Sequence, residues 1–139
     1  MIDYEKKLVA LLKTKLECYW TKPKVWNFFL NEDNLGDQVL TFEYLREEFR
    51  RLHLTTSDNF ADAKKIVLEQ NLTFNVILMD LSLRKIDPSS FLKDFISMAP
   101  QTPIIILAGQ DDTRIATEAL TLGFTDYLIK DEINPTLSH

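Results

Sequence analysis

The chain has 139 residues, of which 45% are hydrophobic and 27% are charged, and its net charge is −5 at pH 7. This length and composition are typical of one ordinary globular domain with a buried core, and they argue against a disordered chain. The negative charge argues against direct nucleic acid binding, because duplex binding usually needs a basic face that displaces counterions.

No apolar run in the sequence is long enough to cross a bilayer, and the longest, at residues 8–12 and 103–108, are far too short. Asp3 and Glu5 precede only a brief apolar patch, which does not resemble a secretory signal. The single cysteine, Cys18, cannot form an internal disulfide and fits a reducing compartment. We therefore expect a cytoplasmic protein with no membrane association.

Apolar residues recur at helical spacing near the N-terminus. They are Tyr4, Leu8, Leu12, Leu16 and Tyr19. Pro23 disfavours a helical conformation at the residue before it. The pattern predicts an amphipathic helical extension over residues 1–22, followed by one domain over residues 23–139.

Strand and helix patterns then alternate along the chain. We predict strands at residues 25–30, 52–55, 76–79, 102–107 and 127–129. The helices between them are predicted at residues 39–49, 61–69 and 88–98, and between Asp111 and Gly123. Ser57 or Asp58 is expected to cap the second of these helices, Asp87 the third, and Asp111 or Asp112 the fourth. Gly123 is expected to end the fourth helix. This alternation predicts a doubly wound α/β fold with a five-stranded parallel sheet.

The C-terminus starts a helix pattern that it does not complete. Asn134 and Pro135 have the form of a helix cap and a first helical residue, yet the chain ends at His139. A truncated last helix would leave an apolar sheet face exposed. Two compatible explanations remain open: the sequence is a piece of a longer protein, or the N-terminal helix covers that face. The N-terminal helix could also contact a second copy of the chain in a homodimer.

Charged residues follow three of the predicted strands. Glu32 and Asp33 follow the first, Asp80 follows the third and Lys130 follows the fifth. In a sheet of order 2-1-3-4-5 the first and third strands are neighbours, so the three carboxylates meet at one edge. They would repel one another without a cation, and oxygen ligands suit Mg²⁺. With Lys130 as a point charge for a phosphoryl oxygen, this arrangement suits phosphorylation of Asp80.

Four blocks of the sequence resemble those of bacterial response-regulator receiver domains, in order and at suitable spacing. They are LNEDNLGD at residues 30–37, NVILMDLSL at 75–83, PIIILAGQDD at 103–112 and GFTDYLIK at 123–130. The resemblance implies the flavodoxin-like receiver fold and a role in two-component signalling. It also implies that a histidine kinase or a phosphotransfer protein donates the phosphoryl group, and that an output domain lies beyond the C-terminus.

The resemblance also assigns roles to individual residues. It implies Asp80 as phosphoacceptor and Lys130 as the cation that contacts the phosphate. The Mg²⁺ ligands would be Asp80, the Glu32 and Asp33 pair and the backbone carbonyl of Ser82. Tyr127 would be the aromatic residue that changes rotamer when the domain switches.

One position departs from the family pattern. Receivers carry Thr or Ser after the fourth strand, where this chain has Ala108. That hydroxyl normally bonds a phosphoryl oxygen and links it to the switching aromatic, and losing a hydrogen bond to a charged group costs about 1.5–3 kcal/mol. The main hypothesis is still a phosphorylatable receiver. It accepts a phosphoryl group on its own Asp80 and is not an enzyme that acts on a separate substrate. The alternative is a pseudo-receiver that binds proteins independently of phosphorylation.

Other α/β proteins with a site at this edge fit the sequence less well. A phosphatase of the haloacid dehalogenase type needs a second aspartate two positions after the first, where this chain has Ser82. A dinucleotide-binding fold needs clustered glycines, and Gly36, Gly109 and Gly123 are scattered. A flavodoxin places a hydroxyl-rich phosphate loop after the first strand, where Glu32 and Asp33 would repel a phosphate.

Overall fold

The structure is a computed structural model that describes residues 4–17, 22–69, 74–81, 89–98, 102–109 and 113–130. Within these ranges, five helices and five strands alternate along the chain. Their bounds are α1 Tyr4–Lys15, β1 Trp26–Asn31, α2 Leu35–Glu48, β2 Leu52–Ser57, α3 Phe60–Glu69, β3 Val76–Asp80, α4 Ser89–Met98, β4 Ile104–Ala108, α5 Thr113–Thr121 and β5 Asp126–Ile129.

The five strands form one parallel sheet of order β2-β1-β3-β4-β5, which confirms the predicted fold class and strand order. The predicted strand bounds differ from the observed ones by one or two residues, as expected at element ends. The largest extension is at β2, which continues to Ser57 because that residue pairs with Asn31 of β1. Inside the sheet, the Ser57 hydroxyl donates a hydrogen bond of 2.6 Å to the Asn31 side-chain oxygen.

The sheet separates two hydrophobic clusters, because alternate residues of each strand point to opposite faces. The α3/α4 cluster contains buried side chains from both helices and one sheet face: Phe29, Phe60, Ala63, Val67, Phe74, Ile77, Met79, Leu81, Phe95, Ile104, Ile106, Ala108 and Phe124. The α1/α2 cluster lies on the other face: Leu8, Leu12, Leu16, Phe28, Leu30, Leu45, Phe49, Val76, Leu78, Ile105 and Leu107. Strands β3 and β4 are buried along their whole length.

Helix α1 packs on the sheet as part of the same core. Leu8, Leu12 and Leu16 are at most 4% exposed within the α1/α2 cluster. The helix contacts α2 and β5. This confirms the expectation that the N-terminal helix covers a sheet face. The homodimer contact stays a prediction, and the helix predicted to begin at residues 134–135 lies outside the described residues.

Two ion pairs link α1 to its neighbours. Lys13 Nζ lies 2.9 Å from Glu48 Oε1 on α2, and Lys15 Nζ lies 3.2 Å from Asp126 Oδ2 on β5. Both pairs are partly or largely exposed, so each contributes little stability on its own. They place the C-terminal end of α1 beside the start of β5. The N-terminal end of α1 therefore lies near the carboxyl edge of the sheet.

The cap predicted for α3 is wrong. Asn59 caps this helix, because its side-chain oxygen accepts a hydrogen bond of 2.7 Å from the Asp62 backbone N–H. Ser57 is instead buried in β2, and the Asp58 carboxylate accepts a hydrogen bond from the Asn59 side chain. The predicted caps Asp87, Asp111 and Asp112 lie outside the described residues.

The helix ends elsewhere follow ordinary capping chemistry. Asn34 caps α2 by accepting a hydrogen bond of 2.9 Å from the Asp37 N–H. Gly123 follows α5 with φ of 112°, a left-handed conformation that suits glycine, which confirms its predicted role. Among the described helices, none has the length and apolar character needed to cross a membrane.

Candidate functional site

Three strands of the sheet deliver charged side chains to its carboxyl edge. Glu32 follows β1, Asp80 is the last residue of β3, and Lys130 follows β5. Each stands two positions after a residue that packs in or against the α1/α2 cluster: Leu30, Leu78 and Leu128. The period of two along a strand therefore places all three side chains on the same side of the sheet.

The Lys130 ammonium lies between the two carboxylates. Its Nζ atom is 2.5 Å from Asp80 Oδ2 and 3.3 Å from Glu32 Oε1. The Asp80 side chain is fully buried, and those of Glu32 and Lys130 are 4% and 21% exposed. Such a short contact between buried opposite charges is a strong, charge-assisted hydrogen bond.

Burial and the close approach of these groups shift their pKa values. Burial, together with a hydrogen bond to Asp80 and the negative charge of Asp80, raises the pKa of Glu32 to about 8, while Lys130 and the Asn34 N–H act in the opposite direction. For Lys130, burial alone lowers the pKa, but the Asp80 and Glu32 carboxylates outweigh burial and hold its pKa above the ordinary value. Glu32 therefore keeps its proton up to about pH 8, and the site gains a second negative charge, beyond the one that Lys130 neutralises, only at higher pH.

Backbone hydrogen bonds hold the ends of the strands in place. The Lys130 N–H donates to the Ala108 carbonyl at 2.7 Å, and the Glu32 N–H donates to the Ser57 carbonyl at 2.9 Å. The Gln38 side chain donates to the Glu32 carbonyl at 2.7 Å. The two backbone bonds extend the β-ladder past the strand ends, so the Glu32 and Lys130 side chains project from ordered backbone.

The predicted Mg²⁺ ligands are only partly brought together. Glu32 and Asp80 share a hydrogen bond, Asp33 is exposed, and Ser82 lies outside the described residues. In the part of the chain that the structure describes, no group of three or more acidic, histidine or cysteine side chains is arranged to hold a metal ion. The Glu32 and Asp80 pair nevertheless fits a hard divalent cation, because carboxylate oxygens are its preferred ligands and a cation would favour the ionised form of Glu32, which burial and Asp80 disfavour.

The predicted switch residues lie on the other face of the sheet. Ala108 is fully buried in the α3/α4 cluster, and Tyr127 is half-buried and packs against that cluster. A methyl group therefore occupies the position at which the family pattern has a hydroxyl. Ala108 has no side-chain group that could bond to a phosphoryl oxygen and pass that contact on to Tyr127.

Two features of Tyr4 and Asn31 were not predicted from the sequence. The ring centroid of Tyr4 on α1 lies 5.7 Å from Lys130 Nζ, although the spacing of Tyr4 indicated only a place in the helix stripe. Asn31 is fully buried beside Glu32, and its Nδ2 has no hydrogen-bond partner among the described residues. No local pattern distinguishes Asn31, which directly follows the strand predicted at residues 25–30.

The raised pKa of Glu32 predicts how the stability of the metal-free protein depends on pH. The pKa of Glu32 is 4.5 in the unfolded chain and about 8 in the folded protein. Between these two pH values the folded state keeps a proton on Glu32 that the unfolded state has lost. The contribution of Glu32 is therefore most favourable below the unfolded pKa. It is lost as the pH rises through the folded pKa, at up to about 1.4 kcal/mol per pH unit.

Urea unfolding in EDTA, at several pH values across this window, measures the effect. Relative to Glu32→Gln, the wild-type protein should lose stability as the pH rises. Glu43→Gln, at an exposed position of α2, is the matched control and should leave the wild-type pH dependence unchanged. A wild-type stability that rises with pH relative to Glu32→Gln would contradict the prediction.

Comparison with known proteins gives one consistent family. The family model described as "Response regulator receiver domain" matches residues 35–138, which begins just after the acidic pair. The transcriptional regulatory protein ZraR of Escherichia coli K12 is 31% identical over 83 residues, which cover 55% of this chain and 19% of ZraR. The chain therefore spans about a fifth of the length of this curated relative.

Solved structures of low sequence identity share the fold. The phosphorylated cyanobacterial phytochrome response regulator RcpA has a TM-score of 0.67 and 23% identity, with 81% of this chain and 86% of that chain covered. A response regulator from Burkholderia pseudomallei, solved with a phosphorylated aspartic acid, calcium ion and citrate, has a TM-score of 0.63 and 22% identity, with 81% and 64% covered.

Proposed function

Because this chain belongs to the response regulator receiver domain family, we propose that Asp80 accepts a phosphoryl group, with Mg²⁺ as cofactor, from a histidine kinase or a phosphotransfer protein. One observation carries the proposal. The Lys130 ammonium lies 2.5 Å from the buried Asp80 carboxylate and 3.3 Å from Glu32, at the carboxyl edge of the sheet. A strand-end carboxylate with an adjacent cation is suited to accept and hold a phosphoryl group.

The proposed step is a transfer between two acceptors. An Asp80 carboxylate oxygen forms a bond to phosphorus, the bond from phosphorus to the donor's histidine nitrogen breaks, and that nitrogen keeps the electron pair. Lys130 then neutralises a phosphoryl oxygen as a point charge. A bound Mg²⁺ would neutralise further phosphoryl charge. Its protein ligands in this proposal are Glu32, Asp33, Asp80 and the carbonyl of Ser82.

The comparisons support this chemistry at the level of fold and family. The Burkholderia pseudomallei structure, whose fold this chain shares, carries a phosphorylated aspartic acid and a calcium ion. The independent support from this chain is the pair of buried carboxyl groups, Asp80 and Glu32, which share one ammonium group and would favour a further cation when both are ionised. Charge clusters that perturb pKa values in this way are frequent at functional sites.

The cellular setting is part of the same proposal. We propose a cytoplasmic signalling protein made of an N-terminal helical extension, residues 1–22, and a receiver domain, residues 23–139. The curated relative ZraR is a transcriptional regulatory protein much longer than the matched region. An output domain beyond the C-terminus, or in a partner protein, would then read the phosphorylation state. Because Ala108 lacks a hydroxyl, we propose that coupling to Tyr127 is weak.

The phosphorylation itself is tested with acetyl phosphate and Mg²⁺, followed by intact mass. Wild type should gain one phosphoryl group and Asp80→Asn should gain none, because the amide is a poor nucleophile. Asp94→Asn, the same change at a partly exposed residue paired with Lys64, is the matched control and should be phosphorylated like wild type. A folded wild-type protein that gains no mass would instead favour the pseudo-receiver, the function that Ala108 alone suggests.

A further inference from the structure

The N-terminal helix reaches the candidate phosphorylation site through one side chain. Tyr4 is the first residue of α1, and its ring centroid lies 5.7 Å from Lys130 Nζ. A cation within about 6 Å of an aromatic centroid is attracted by the ring quadrupole. The ring is therefore a third partner of the ammonium group that also contacts Asp80 and Glu32.

The packing of α1 determines where this ring lies. Leu8 and Leu12 follow Tyr4 at intervals of four residues, on the same stripe of the helix, and both are buried in the α1/α2 cluster. Tyr4 is half-buried and packs against the same cluster. Packing against the hydrophobic core therefore helps to hold the ring in position.

The Lys130 side chain needs such support. Lysine has a long, flexible stem whose ordering costs conformational entropy, and 21% of this side chain is exposed. An aromatic ring held by the core limits the rotamers of the stem and partly excludes water. Both effects favour the position in which the ammonium faces Asp80.

From this geometry we propose that Tyr4 is a positioning residue that holds the Lys130 ammonium against Asp80 and Glu32. The N-terminal helix thereby completes the site that the sheet edge begins. The positioning is a property of the folded protein, and its effect on phosphorylation rests on the proposed function. The positioning of Lys130 and its effect on phosphorylation are tested by separate measurements.

The first readout is the carbon and proton NMR signal of the Lys130 ε-methylene group. A nearby aromatic face shifts these protons upfield, so Tyr4→Leu should move the signal towards the random-coil position. Tyr4→Phe keeps the ring and should leave it close to wild type. This measurement requires no phosphorylation.

The second readout is the rate constant for phosphorylation by acetyl phosphate in the presence of Mg²⁺. Tyr4→Leu should lower it by about two- to five-fold, the range expected for an exposed or partly exposed cation–π contact. Tyr4→Phe should restore the wild-type rate. Val9→Ala, at a half-buried position of α1 that packs against the same cluster, is the control for helix packing and should leave the rate unchanged.

Several outcomes would overturn the proposal. An unmoved Lys130 signal in Tyr4→Leu would show that the ring does not hold the ammonium. A slow Tyr4→Phe, or a Val9→Ala as slow as Tyr4→Leu, would assign the effect to the hydroxyl or to helix stability. A wild type that is not phosphorylated would contradict the proposed function, while the NMR signal would still decide whether Tyr4 positions Lys130.

Discussion

Replacing Lys130 with Met is expected to destabilise the metal-free protein by about 3 kcal/mol, the lower end of the range for breaking a buried ion pair, since this lysine keeps some exposure. The variant leaves the Asp80 and Glu32 carboxylates buried without their cation. The loss should be largest near and above pH 8, where Glu32 is ionised, and smaller at lower pH, where it is protonated. Urea unfolding in EDTA measures it.

A matched control is available on the surface. Lys13 forms an ion pair of 2.9 Å with Glu48, but the two side chains are 59% and 40% exposed. Lys13→Met is therefore expected to cost less than about 1 kcal/mol. Equal losses at the two lysines would contradict the description of Lys130 as the cation of a buried charge cluster. Added Mg²⁺ should restore part of the stability of Lys130→Met, because it supplies positive charge to the same carboxylates.

Replacing Leu12 with Ala is expected to destabilise the protein by about 2–5 kcal/mol, the range for removing a buried leucine side chain. Leu12 is fully buried in the α1/α2 cluster, among residues of β1, β3 and β4. Because α1 is part of the core, the packing lost in Leu12→Ala should lower the free energy of unfolding of the whole protein. Urea unfolding followed by circular dichroism and by tryptophan fluorescence would give one common transition.

The control for this change is Leu40→Ala on α2. Leu40 is 50% exposed, so its truncation should change the free energy of unfolding by no more than about 0.5 kcal/mol. A Leu12→Ala cost as small as that of Leu40→Ala would contradict the placement of α1 on the sheet. Two separate unfolding transitions would instead show that α1 unfolds independently of the sheet.

The strands and their order were largely predictable from the sequence. Short apolar runs such as residues 76–79 and 102–107 form strands buried on both faces, and only a parallel sheet covered by helices buries both. The helix ends were less predictable. Asn59, and not Ser57 or Asp58, caps α3, because Ser57 remains in β2 through its pairing with Asn31. That pairing joins residues from different strands, so no local pattern reveals it.

The charged site was predictable because regular strand geometry places it. Parallel strands bring their carboxyl ends to one edge, and the period of two sets the side on which the following residues lie. Glu32, Asp80 and Lys130 were therefore expected together, and the structure places them within hydrogen-bond distance. The contribution of Asp33 and Ser82 to a metal site stays a prediction.

The α/β class, the parallel sheet and the charges at its edge could be predicted from the sequence, because they follow from periodicities repeated along the chain. The three-dimensional arrangement was needed to show that α1 packs on this face of the sheet and places Tyr4 beside Lys130. The leucine stripe showed that α1 needs an apolar partner, but several partners would satisfy it equally well. The hydrophobic effect is not directional, so the choice of face depends on shape and on contacts between residues far apart in sequence.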